Sequence, residues 1–172
     1  MADPLSDVEH TETWPEPVRA RLQRSREEFL AAARPPVLDL STPDARALVA
    51  EVAAGRSSPS VEYRSIVSVA SLPLFPDVVT VVRAMKSLLV LRGDLFFDEP
   101  IGRPGTLSLV LGTIASGAPA VRGLHLNRDI VGALRAGGLE VISVKRSTLP
   151  TRCVPLRRFA PVSYTHLRAH ET

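Results

Sequence analysis

The sequence predicts an α/β domain: a mainly parallel sheet with helices on both faces. Three observations predict it. Short apolar runs alternate with amphipathic stretches in the order strand, helix, strand, helix, strand, helix, strand, an order that requires βαβ crossovers. Glycine or proline marks most of the junctions between them. The composition, 45% hydrophobic and 23% charged over 172 residues, suits one globular domain with a real core.

An amphipathic helix is expected from Pro15. Val18, Leu22, Phe29 and Leu30 share one face, and the arginines and glutamates between them point elsewhere. Pro35 and Pro36 end it, because proline cannot continue a helix. VLDL at 37–40 is short and apolar and reads as the first strand. Thr42, Pro43 and Asp44 then make a helix start: a capping hydroxyl, a ring that presets φ, and a carboxylate at the positive end of the dipole. That helix runs to Ala54, with Leu48, Val49 and Val52 inward, and Gly55 stops it. A second strand covers 63–72 until Pro73 and Pro76 break it.

Asp77 caps the most regular helix, in which Val78, Val81, Val82, Met85, Leu88 and Leu89 follow the i, i+3, i+4 pattern. Gly93 is expected to stop it, with a third strand over 94–98. Residues 106–115 are apolar and read as a helix over the core. Another helix spans 127–136, with Ile130, Val131 and Leu134 inward and Gly137 and Gly138 at its end. A fourth strand covers 139–144, and 146–160 begins a last one.

The domain is expected to span 15–161. Residues 1–14 are acidic and polar, and a disordered N-terminal segment is expected there. VSYTHLRAHET, residues 162–172, resembles the in-frame translation of a sequencing adapter and is set aside from the fold as an artefactual tail. His166 and His170 lie four apart in it but outside any helical pattern, so no metal site is expected.

Several function classes are excluded or disfavoured by composition. No apolar run reaches the roughly 18 to 20 residues that cross a bilayer. The polar start has no apolar signal region, so a cytoplasmic protein is expected. Cys153 is the only cysteine, which rules out an internal disulfide framework. A net charge of +3 is too small to argue for nucleic acid.

In a parallel sheet the ligand crevice lies beyond the carboxyl ends of the strands. That selects 39–42, 68–73, 98–105 and the segment before the helix at 127. SIVSVASL at 65–72, a helix capped by Asp77, and LLVLRGDLFFDEP at 88–100 carry a resemblance. So do GLHLNRD at 123–129 and LRAGGLEV at 134–141. Over about 61–160 the chain resembles the second half of a class I S-adenosylmethionine-dependent methyltransferase of the small-molecule and lipid-type branch. There a strand, its helix, a tight glycine turn and a strand ending in an acidic residue and proline follow in this order.

The first half departs from that pattern. The family carries a glycine-rich loop after its first strand, because the cofactor must approach the backbone closely. Here Asp39 is present, but Ser41, Thr42 and Pro43 stand where glycines are required. The next strand follows after a single helix, leaving no place for the family's ribose-binding acid.

The resemblance implies a shortened Rossmann-like sheet and methyl transfer from S-adenosylmethionine to a small-molecule acceptor. It implies Asp39, Ser41, Ser68 and Val69 as cofactor-binding residues, and Asp98 and Glu99 toward the substrate. His125 is the only central histidine and the candidate base that takes a proton from the acceptor. The degenerate loop supports an alternative of another class: a catalytically inactive methyltransferase-like domain acting as a binding or partner subunit. A homo-oligomer is an expected state, since the shortened sheet leaves an edge to cover.

Overall fold

The computed structural model describes residues 11, 14–101, 125 and 129–139, and the backbone of 147–148 and 158–165. It is a mixed α/β domain whose centre is a three-stranded parallel sheet, a shortened Rossmann-like arrangement. Helix α1 (Glu16–Ala32) starts behind Pro15 and ends at Ala33, ahead of Pro35 and Pro36. Strand β1 (Val37–Asp39) leads into α2 (Pro43–Ala53). Thr42 caps α2, its side chain accepting from the Ala45 N–H, and Gly55 follows the helix at φ +69°. Strand β2 (Tyr63–Val69) ends in a short 3₁₀ turn, Leu72–Leu74.

Asp77 opens α3 (Val78–Leu88) by accepting from the N–H groups of Val79 and Thr80 at 3.1 and 3.2 Å. Strand β3 (Leu89–Pro100) follows at once. Helix α4 (Ile130–Ala136) is capped by Asp129, which accepts from the Gly132 N–H at 2.9 Å. Strands β4 (Ser147–Thr148) and β5 (Arg158–Thr165) complete the sheet. Its order is β1-β2-β3-β5-β4, with β5 antiparallel to both β3 and β4.

The main differences from the sequence expectation are these. Helix α3 ends at Leu88, not at Gly93, because Leu89 already pairs with Tyr63. The ladder then shifts before Ser65 pairs with Asp94, and the extra residues form a bulge. Arg92 takes φ +63° there, and a Cβ on Gly93 would lie 2.8 Å from Leu89 Cδ2 and 3.0 Å from the Val90 carbonyl. The glycine therefore serves a close approach inside the strand. Strand β2 stops at Val69, three residues early, because Ala70 turns the chain at φ +51°. Helix α4 begins at Ile130, where the Asp129 side chain meets its first turn. Trp14, placed in the N-terminal segment, is buried with Val18 and Leu22.

The helix expected over 106–115 and strand residues 140–144 lie outside the described residues, as does the loop 102–105. Strand β5 continues through 162–165, pairing Val162 with Phe97 and Thr165 with Asp94. Residues 162–165, set aside from the fold on sequence grounds, are therefore part of the sheet, since ladder bonds need only the backbone groups that nearly every residue carries.

The pleat divides the core in two. Leu38, Leu40, Ile66, Leu95 and Phe97 pack with α2, α3 and α4. Val67, Val69 and Phe96 pack with Trp14, Val18 and Leu22 under α1, where the Phe29 ring stacks on Phe96 with centroids 5.5 Å apart. Helices thus cover both faces. No helix of the described residues is long and apolar enough to cross a membrane.

Gly137 lets α4 sit against α3. A Cβ there would overlap Val82 Cγ1 and stand 2.8 Å from Val82 Cβ, both on the fixed stem of a branched side chain. Gly137→Val is expected to lower stability by about 1–3 kcal/mol through overpacking. Urea denaturation checks this, and an unchanged midpoint contradicts the packing described.

Candidate functional site

The three parallel strands run toward the same end of the sheet, where Asp39 lies opposite Val67 and Val69 opposite Asp98. This is where an α/β sheet offers its ligand crevice. The polar groups there form two networks, one on each face.

On the α1 face, Asp98 is fully buried. Arg21 Nη2 donates to both of its carboxylate oxygens at 3.0 Å, and Ser25 Oγ donates to Oδ2 at 2.5 Å. Arg21 and Ser25 are one helical turn apart, so α1 presents them side by side. The next residue of α1, Arg26, donates to Asp39 Oδ2 through Nε and Nη2, at 2.9 and 2.7 Å. Ser41 completes this group: its N–H and hydroxyl donate to Asp39 Oδ1, and its oxygen accepts from Arg26 Nε at 2.8 Å. Arg34, just past the helix, donates to Asp94 in the middle of β3 at 2.8 Å. Three guanidiniums from the α1 segment therefore answer three carboxylates of the sheet.

On the opposite face, Glu99 is fully buried. Ser68 Oγ donates to its Oε1 at 2.6 Å, as does the Ser71 N–H at 3.2 Å, and the Leu72 N–H donates to Oε2 at 3.2 Å. Ser71 Oγ donates on to the Leu40 carbonyl at 3.2 Å. Arg46, 1% exposed at the start of α2, donates to the Leu40 and Ser41 carbonyls at 3.1 and 2.9 Å. Desolvation pulls the Arg46 guanidinium below the usual arginine range, against the attraction of Asp39. Burial pushes the Glu99 carboxyl up to about 8, and its three hydrogen bonds and the repulsion of Asp98 are smaller effects. Glu99 is thus largely neutral at pH 7.

The sequence-selected residues divide accordingly. Asp39 and Ser41 meet on Arg26, Ser68 and Glu99 meet each other, and Asp98 is held by α1. Val69 is packed in the apolar cluster under α1. His125 is exposed, and its backbone N–H donates to the Pro73 carbonyl at 2.8 Å, beside the turn that Glu99 holds. Sequence reasoning missed Arg21, Ser25, Arg26, Arg46 and Ser71. The arginines of α1 were expected to point away from the sheet. Their long apolar stems let Arg21 and Arg26 reach over the strand ends instead. The spacing of Val18, Leu22 and Ser25, with Arg21 between, was the available signal.

S-adenosylmethionine, implied by the family resemblance, requires free donors and open backbone at the end of β1. The described residues do not fit it. The Ser41 N–H is bonded to Asp39, the Ala45 N–H to Thr42 Oγ1, and the Arg46 N–H to the Thr42 carbonyl. Both oxygens of Asp39 are taken, and Arg26 stands over them. Among the described residues no group of three histidine, cysteine, aspartate or glutamate side chains could hold a metal.

Two outcomes are expected. Arg21→Met leaves the fully buried Asp98 without its countercharge and costs about 3–5 kcal/mol. Arg56→Met, which removes a pair with Glu51 on the surface, leaves the urea midpoint unchanged. The second outcome concerns pH. The folded carboxyl of Glu99 titrates at about 8 against an ordinary value of 4.5, so the neutral form is favoured by folding. Its contribution is complete below about pH 4.5 and is lost as pH rises to about 8. Glu99→Gln flattens that window in a series of urea midpoints.

No protein-family model matches this sequence and no curated protein is found similar to it, so the chemistry of the site is read from its residues.

Proposed function

We propose that this chain is a catalytically inactive methyltransferase-like domain that acts as a binding or partner subunit. The observation that carries the reading is the closed group of Asp39, Ser41 and Arg26 at the end of β1. In the family the chain resembles, that position meets the methyl donor. Here a helix of the same chain fills it with a guanidinium, and no glycine follows the strand. The apolar seating of α1 through Trp14, Val18 and Leu22 keeps that guanidinium in place. Cytoplasmic residence and association with another subunit, including a second copy, belong to the same proposal.

A second reading, methyl transfer to a small molecule, is favoured by one observation. Ala70 takes a left-handed conformation at the end of β2, in the stretch that most resembles the family. Non-glycine residues rarely adopt it, and such positions cluster at functional sites. In that reading His125 takes the acceptor's proton, and Asp98 and Glu99 shape the acceptor's surroundings.

Calorimetric titration of S-adenosylmethionine and S-adenosylhomocysteine into the full chain separates the two. The expected result is no heat of binding and no thermal shift at millimolar ligand. Binding at micromolar strength, about −8 kcal/mol, overturns the proposal and supports the second reading.

A further inference from the structure

We draw no further inference here: the strongest candidate, the surface patch at the bulge of β3 where Leu91 is 72% exposed beside Arg92, rests on one apolar side chain, and nothing in the structure shows what covers it.

Discussion

Strand β3 ends in two adjacent carboxyl side chains, and the pleat sends them to opposite faces of the sheet. Much of the rest follows from how each is satisfied. Asp98 meets a guanidinium and a hydroxyl from α1, which fixes that helix across the strand ends. Glu99 meets no cation among the described residues and is held neutral by burial, gathering Ser68 and the turn after β2 around it. The same buried position thus yields an ion pair on one face and an uncharged clamp on the other. The difference lies in what reaches each carboxyl: α1 aims a guanidinium at Asp98, whereas the arginine buried on the other face, Arg46, donates to the Leu40 and Ser41 carbonyls.

The ion pairs and the apolar cluster under α1 support one another. Val18 and Leu22 alone bury little of a seventeen-residue helix. The Arg21–Asp98 and Arg26–Asp39 pairs add direction to that seating, because each is made of two directed, charge-assisted hydrogen bonds. Once α1 is seated, the end of β1 has few polar groups left to offer. The closure of the strand ends is therefore a consequence of helix docking as much as of the missing glycines. Both point away from a methyl donor at that place, for independent reasons: one steric and local, the other electrostatic and tertiary.

The sequence by itself determined the alternation of helices and strands and their stop signals. It did so wherever the signal is local: Thr42 and Asp77 as caps, Pro35 and Pro36 as breakers, the apolar spacing from Val78 to Leu88. It also selected the strand ends, and with them Asp39, Ser68, Asp98 and Glu99. It misjudged Gly93, read as a helix stop. A glycine in a bulge and a glycine after a helix look alike in one dimension, and only the register against Tyr63 and Ser65 separates them. What tertiary structure alone decided is the chemistry of the site. Whether a strand-end carboxylate is free, paired or neutral depends on which long side chain crosses to it. Arg21 and Asp98 are seventy-seven residues apart, a distance over which no periodicity speaks. Burial sets the charge on Glu99 for the same reason: its surroundings come from β2 and the turn that follows, and no pattern along β3 encodes them.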